Sequence, residues 1–200
     1  MWIGILVSLK MGTSEREFLI YVRGLGMPFK VEATGHRLMY VLRSDDPKVI
    51  EGFLIGLRLG IIPINGITLA RPFNKRIALG ETKIGDKIIY DLEEAVRLGI
   101  SEVLQPRPLS VRLRARGHGL GIGETLKSIS LEVLKELNVR VSKKSSLILN
   151  VEVLRTTSGE LRLYVGYHPK YLYVRYATVY RMSQPEDVLI PKAQPFTQFY

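Results

Sequence analysis

Residues 108–119 read PLSVRLRARGHG and carry the strongest local pattern in the sequence. Apolar residues alternate with arginines, which predicts a β-strand over residues 109–116, because successive strand side chains point to opposite faces. The side chains expected to face the core are Val111, Leu113 and Ala115. The opposite face is expected to carry Arg112, Arg114 and Arg116, which we call the arginine row. No acidic residue lies between Glu102 and Glu124 to neutralise this row.

The spacing of the arginine row suits a phosphate backbone. Alternate strand positions lie about 7 Å apart, and each guanidinium presents a planar fork of N–H donors that matches phosphate oxygens. The pattern therefore predicts contact with nucleic acid. The alternative that the residues leave open is a solvated strand face whose arginines pair with acids on a neighbouring strand.

A glycine-rich segment, GHGLGIG at residues 117–123, joins this strand to a helix predicted over residues 124–137. Such a turn can present backbone N–H groups and a helix N-terminus to phosphate, or it can be a plain flexible connection. Its glycines alternate strictly and do not match the G-x-G-x-x-G fingerprint. Glu124 and Thr125 stand where a phosphate-binding loop has its lysine and hydroxyl residue. We therefore predict no nucleotide cofactor.

Tyrosines and basic residues are interleaved toward the C-terminus, with no acid between Glu160 and Glu186. They are Tyr164, Tyr167, Tyr171, Tyr173, Tyr176 and Tyr180, with Arg162, Lys170, Arg175 and Arg181. Aromatic rings beside cations are typical of single-stranded nucleic-acid sites. The alternative is that half of these tyrosines face a core, as strand residues do. Outside the arginine row, the lysines and arginine that we predict to contact RNA are Lys127, Lys170 and Arg175.

Composition favours a polyanionic partner and gives no sign of catalysis. The net charge of the 200-residue chain is +10 and its pI is near 9.8, which favours nucleic acid or an acidic membrane surface. The absence of cysteine excludes disulfides, thiolate metal sites and cysteine nucleophiles. The histidines, His36, His118 and His168, lie on separate segments without metal-ligand spacing. With no nucleophile elbow or Walker lysine either, we predict no metal, no cofactor and no catalytic residue.

The sequence also bears on location. No apolar run approaches the roughly 20 residues of a membrane span. The N-terminus lacks the positive region of a signal peptide. We therefore expect a soluble cytoplasmic protein without membrane contact.

The order of predicted elements in the first half is β-α-β-β-α-β, the ferredoxin-like pattern. The first strand, at residues 2–10, is expected to be half-buried because its apolar residues alternate. A capping box at residues 14–17 starts the first helix, and Asp46 followed by Pro47 starts the second. A last strand is expected over residues 64–69.

The second half is predicted to begin after a polar link at residues 74–82. Its expected elements are a helix at 88–104, the arginine-row strand, the helix at 124–137, and a hairpin of strands at 147–154 and 161–167. The fold class is therefore α+β. The predicted division is a ferredoxin-like domain at residues 1–73, an RNA-binding α/β domain at 74–170, and an extra strand with an extended tail at 171–200.

Three segments together resemble the THUMP domain of tRNA-modifying proteins. They are PLSVRLRARGHG, the helix GETLKSISLEVLKELNVRV, and the hairpin SSLILNVEVLRTTSGELRLYVGY. The first half, including ILVSLKMGTSEREFLIYVRGLG, resembles the small ferredoxin-like domain that accompanies THUMP. By position, the arginine row and His118 match the basic strand motif of the family. Two departures concern RNA contacts: residues 119–123 replace a polar, serine-containing loop, and Ser145-Ser146 replaces a usual Pro-Asp.

The resemblance implies a role in tRNA modification. THUMP domains usually deliver tRNA, by its acceptor end, to an attached modification enzyme, and this chain is expected to end too soon to carry one. The arrangement is similar to stand-alone adaptors that help a separate acetyltransferase to form N4-acetylcytidine in tRNA. We therefore expect a non-catalytic adaptor whose partners are tRNA and a modification enzyme. The alternatives are an RNA-modifying enzyme of unrecognised type and a basic protein-interaction module.

Overall fold

The computed structural model describes residues 1–63, 66–79 and 86–175, with side chains described throughout except at 86–90. The expectations for the tail, for Tyr176, Tyr180 and Arg181, and for the start of the predicted strand at residues 64–69 lie outside the described residues. In these ranges, two five-stranded sheets carry four α-helices, which confirms the α+β fold class. Within the described ranges, no helix is both long and apolar enough to span a membrane.

The first sheet has the ferredoxin-like order predicted from the sequence. Its elements are β1 (Gly4–Leu9), α1 (Glu15–Gly24), β2 (Lys30–Ala33), β3 (Met39–Arg43), α2 (Pro47–Leu59) and β4 (Ile67–Phe73). The strand order is β4–β1–β3–β2, and every neighbouring pair is antiparallel. The helices form where the local signals place them. Ser14 Oγ accepts from the Glu17 amide at 3.5 Å, and Asp46 Oδ1 accepts from the Lys48 amide at 2.8 Å.

The second sheet contains the arginine row. Its elements are β5 (Lys75–Ala78), α3 (Asp86–Val103), β6 (Ser110–Arg116), α4 (Gly123–Glu136), β7 (Arg140–Val141), β8 (Leu147–Arg155) and β9 (Leu161–Pro169). The strand order is β5–β9–β8–β6–β7, with β6 parallel to both of its neighbours. Helices α3 and α4 pack with one face of this sheet in a single apolar core. The arginine row lies on the other face of β6.

Three strand assignments differ from the sequence prediction. Residues 75–78, predicted as polar link, form β5 because their backbone pairs with β9. The two-residue strand β7 is unpredicted and pairs with the start of β6. Strand β4 continues through Pro72 to Phe73. On the edge of β4 that faces away from β1, strand pairing within the described residues occurs only at Leu69 and Ala70. Pro72 therefore interrupts no backbone hydrogen bond on that edge.

The two halves share a buried interface, and this makes the prediction of a half-buried first strand wrong. One face of β1 lies in the ferredoxin-like core, and the other presents Leu6 to the second sheet. There Leu6 and Phe73 pack in one cluster with Leu154 and Tyr164 of β8 and β9. Both faces of β1 are therefore covered.

The chain returns to the first sheet after β9. A 3-10 turn (Lys170–Leu172) leads into β10 (Val174–Arg175), which pairs antiparallel with β4. We call residues 170–175 the return segment. The extra strand expected after residue 171 is thus present in part, and it extends the first sheet. The division of the chain at residues 73 and 170 stays a prediction.

Candidate nucleic-acid interface

The arginine row points as predicted, away from the helix-covered core. Val111 is fully buried in that core, and Leu113 and Ala115 pack against it. In the parallel register, Arg112, Arg114 and Arg116 lie beside Ile148, Asn150 and Glu152 of β8. The three arginines are half-buried, and each has a different environment.

Arg112 has no acidic partner among the described residues. Its Nη2 donates to the backbone carbonyl of Lys143, and its Nε is buried with no hydrogen-bond partner in the part of the chain that the structure describes. A carbonyl neutralises no charge, so the guanidinium keeps its full positive potential. Arg112 is therefore ready for an anion.

Arg114 lies against an aromatic ring. Its guanidinium carbon is 4.6 Å from the ring centroid of Tyr173, and its Nε is buried without a hydrogen-bond partner in the described structure. Burial lowers the pKa of Arg114, and the nearby cations lower it further although Tyr173 opposes them. Those cations are Arg116, Arg112 and Arg175. The local potential is thus strongly positive, and a bound anion would relieve it.

Arg116 is the compensated member of the row. It donates to the Tyr173 hydroxyl at 2.9 Å and is aligned with Glu152 on β8. Burial alone would lower the pKa of Arg116, but Glu152 and Tyr173 raise it above its ordinary value. The alternative expected from the sequence, an acid on a neighbouring strand, thus applies to Arg116 in part: Glu152 acts on it electrostatically, while its hydrogen bond goes to Tyr173. It does not apply to Arg112 or Arg114 within the described residues.

His118 joins the end of the row to the interface between the halves. Its Nε2 lies 2.5 Å from Oε2 of Glu152, and its ring meets that of His36 edge to face at 5.7 Å between centroids. Glu152 is fully buried and also accepts two hydrogen bonds from the buried guanidinium of Arg71. Burial would raise the pKa of Glu152, but Arg71 and His118 hold it well below its usual range. The Nε2 of His118 is therefore engaged within the protein.

The glycine-rich segment after β6 adopts left-handed backbone. The φ angles of Gly119 and Gly121 are +81° and +71°, which glycine adopts without strain. An added Cβ at either position would meet open space. Ile122, the residue before α4, makes no side-chain capping bond to the helix. The segment is thus open on its outer side.

The other predicted RNA contacts lie at different distances from the row. Arg175 is exposed in β10 and acts electrostatically on Arg114. Lys170 is exposed at the start of the return segment. Lys127 is exposed on α4, where it pairs with Glu124 at 3.2 Å. The structure thus brings Arg175 to the arginine row, whereas Lys127 is engaged on its own helix.

The tyrosines have separate roles. Tyr164 is buried between the sheets, edge to face with Phe73 at 5.1 Å, so the core alternative applies to it. Tyr167 packs against the helix-covered core, and Tyr171 packs against the ferredoxin-like core. Tyr173 alone of these four contacts the arginine row, through Arg114 and Arg116.

Sequence reasoning missed the residues that support the row. Tyr173 was one tyrosine among several, and nothing local distinguishes it. Glu152 had a usable signal: a single acid inside the apolar run LILNVEVL must find a cationic partner if that strand is buried. Arg71, between Ala70 and Pro72 in β4, is the matching signal in the first half.

A cavity of about 520 Å³, lined by both polar and apolar residues, lies near the His118 end of the row. Its lining includes Thr13, Ser14, Thr34, His36, Arg37 and Thr157. These residues come from turns of both halves, and His36 links the cavity to His118. Among the described residues, no group of histidine, aspartate and glutamate side chains could hold a metal ion.

Comparison with known proteins establishes the fold. No protein-family profile matches the chain, and no curated protein matches it in sequence. Among solved structures, PH1313 from Pyrococcus horikoshii Ot3 is similar with a TM-score of 0.52 and 14% identity, over 84% of this chain and 55% of that one.

Two further solved structures have TM-scores of 0.49. One is a 4-thiouridine synthetase in complex with RNA and ATP, at 12% identity over 84% of this chain and 42% of that one. The other is a predicted N6-adenine-specific DNA methylase from Listeria monocytogenes str. 4b F2365, at 14% identity over 82% and 40%. This chain spans just over half the length of PH1313 and less of these two. The likeness to PH1313 confirms the predicted fold, a ferredoxin-like unit followed by a THUMP-like α/β unit.

Proposed function

We propose that the chain binds RNA, specifically tRNA, through the arginine-row face of the second sheet. The carrying observation is that Arg112, Arg114 and Arg175 lie together without a neutralising acid among the described residues. In the described part of the chain, the Nε atoms of Arg112 and Arg114 are buried and have no hydrogen-bond partner. The charge of these two guanidinium groups is therefore poorly compensated within the protein, and charge-assisted hydrogen bonds to phosphate oxygens would compensate it.

The contacts are with the backbone of the RNA. Arg112 and Arg114 occupy alternate positions of one strand, so their groups can reach neighbouring phosphates. Such contacts fix the position of an RNA and carry no base sequence themselves. Selectivity for tRNA would then come from its shape, read by the row together with surfaces of both halves.

The second part of the proposal is that the chain acts as an adaptor in the cytoplasm. It would present bound tRNA to a separate modification enzyme. The partner that we favour is an acetyltransferase that forms N4-acetylcytidine. The support is the THUMP-like fold together with the sequence resemblance to stand-alone members of that family. The described residues also contain no nucleophile paired with a general base.

Charge-matched variants test the RNA site. Arg112→Gln/Arg114→Gln removes two charges from the row, and Arg16→Gln/Arg23→Gln removes two from the exposed face of α1. We expect the row variant to bind tRNA at least about tenfold more weakly, since each lost charged hydrogen bond costs about 1–3 kcal/mol. We expect the control to stay within about threefold of wild type. Affinity is measured by fluorescence anisotropy with labelled tRNA.

Salt dependence provides the second readout. Wild-type affinity should fall steeply between about 50 and 200 mM salt, because phosphate contacts release counterions. The row variant should show a shallower log–log slope than the control variant. Equal affinity of the two variants, or a wild-type affinity insensitive to salt, would contradict the proposed site.

A further inference from the structure

The return segment is anchored in the first half of the chain. Leu172 and Val174 are 0% and 5% exposed and lie in the ferredoxin-like core. The guanidinium of Arg58, from α2, donates to the Tyr171 carbonyl at 3.1 Å. Pairing of β10 with β4 adds backbone hydrogen bonds to this anchor. The backbone on both sides of residue 173 is therefore fixed relative to the first sheet.

Tyr173 points to the second half instead. Its ring is stacked on His168, with 6.2 Å between centroids and 10° between planes. The guanidinium of Arg114 lies over the same ring at 4.6 Å, and the hydroxyl accepts from Arg116 at 2.9 Å. One side chain thus contacts two members of the arginine row.

These contacts restrict the two arginines. A free arginine side chain samples many rotamers, and ordering them opposes binding. The cation–π contact fixes the guanidinium of Arg114, and the hydroxyl fixes that of Arg116. Burial of Leu172 and Val174 fixes the backbone that carries the ring, and the contacts with His168, Arg114 and Arg116 fix the ring itself. Since it already contacts Arg114 and His168, the ring is also not a free platform for a nucleobase.

We propose that Tyr173 is a positioning residue of the RNA site, holding Arg114 and Arg116 in place for the phosphodiester backbone. This inference rests on the proposed function. It makes the site composite, since the arginines belong to the second sheet and the residue that orders them is anchored in the first. Docking of the two halves is then a condition for RNA binding as well as for stability.

The test compares three variants by tRNA affinity, salt slope and thermal stability. Tyr173→Leu removes the ring contact and the acceptor, whereas Tyr173→Phe removes the acceptor alone. Tyr171→Phe is the control, because Tyr171 packs against the ferredoxin-like core and its side chain makes no described contact with the row. We expect Tyr173→Leu to weaken binding about threefold to tenfold. It should also lower the salt slope. Tyr173→Phe keeps the ring over Arg114 but releases Arg116, so it should bind more weakly than wild type and more tightly than Tyr173→Leu.

The outcomes separate this inference from the proposed function. If wild-type protein binds no tRNA, the proposed function fails and the inference fails with it. If wild type binds and Tyr173→Leu matches it in affinity and salt slope, the inference alone is overturned. If Tyr173→Leu only lowers stability, fewer molecules will be able to bind tRNA while the salt slope stays that of wild type. That result also overturns the inference. Should Tyr173→Leu not fold, Tyr173→Phe decides: weaker binding than Tyr171→Phe supports the inference, and equal binding overturns it.

Discussion

His168 is an imidazole enclosed beneath the arginine row. It is 1% exposed, its Nδ1 lies 2.9 Å from the Pro169 carbonyl, and its Nε2 lies 2.7 Å from Nδ2 of Asn150. This geometry fits a neutral ring that donates from Nδ1 and accepts at Nε2. Burial lowers the pKa of His168 to about 4, and Arg71 and Arg114 act in the same direction. The protein therefore holds this histidine uncharged at neutral pH.

This enclosure predicts a pH dependence of stability. Below the ordinary histidine pKa of about 6.5, His168 takes up a proton in the unfolded chain. In the folded chain it stays neutral until the pH is near 4, so the unfolded state binds more protons between these values. The free energy of unfolding should therefore decrease across this window, by at most about 1.4 kcal/mol per pH unit. His168→Gln should show a flatter dependence in urea unfolding between pH 7 and 5. The control, His36→Gln at an exposed position, should keep the wild-type slope; a steep slope in His168→Gln would contradict the prediction.

The glycine-rich segment that follows β6 depends on left-handed backbone. A non-glycine residue in this region costs about 1–2 kcal/mol. Gly121 has a φ of +71° and open space where an added methyl group would lie, so conformation is the sole penalty there. We predict that Gly121→Ala lowers the free energy of unfolding by about 1 kcal/mol. Gly24, at the end of α1, has the same open space in helical backbone, so Gly24→Ala should be neutral or stabilising. Chemical denaturation checks both, and equal effects would contradict the explanation.

At the level of elements, local signals predicted the helices and missed two strands. Ser14 and Asp46 cap their helices within three residues, so the sequence around them suffices. Strand β5 exists through its pairing with β9, about ninety residues later in the chain, which no local pattern reveals. The same limit applies to the site. Alternation predicts the direction of the arginine row, but the contact of Tyr173 with it depends on the path of the return segment.

The two halves share enough buried surface to behave as one unit. Besides the apolar cluster at Leu6 and Leu154, the indole N–H of Trp2 donates to the Tyr167 carbonyl at 3.1 Å. We predict a single unfolding transition, with Trp2 fluorescence and far-ultraviolet circular dichroism changing together. Leu154→Ala leaves a cavity between the sheets. It should lower the free energy of unfolding by about 2–5 kcal/mol, and by the same amount whichever of the two signals is used to measure it. Two separated transitions would show that the halves unfold independently.

As a whole molecule, the protein is expected to have no modification activity by itself. The purified chain would be incubated with unmodified tRNA and either acetyl-CoA, S-adenosylmethionine, or ATP with a sulfur donor. Mass spectrometry of the digested nucleosides should show no new modified nucleoside until a partner enzyme is supplied. If this chain alone forms a modified nucleoside, and variants of the chain do not, the protein is an enzyme and the adaptor proposal is wrong.

The carboxylate of Glu152 couples positions that lie far apart in the chain. It neutralises Arg71 in the first half of the chain, and it contacts His118 in the glycine-rich segment beside the arginine row. Loss of either partner of the Arg71–Glu152 pair would leave a buried charge uncompensated, at a cost of about 3–5 kcal/mol. In the evolutionary history of this fold, the two residues are thus expected to be exchanged together, for instance for an apolar pair, or not at all. Such an exchange would release His118 from its partner, so the lineage that made it would have to rebuild the edge of the proposed RNA surface at the same time.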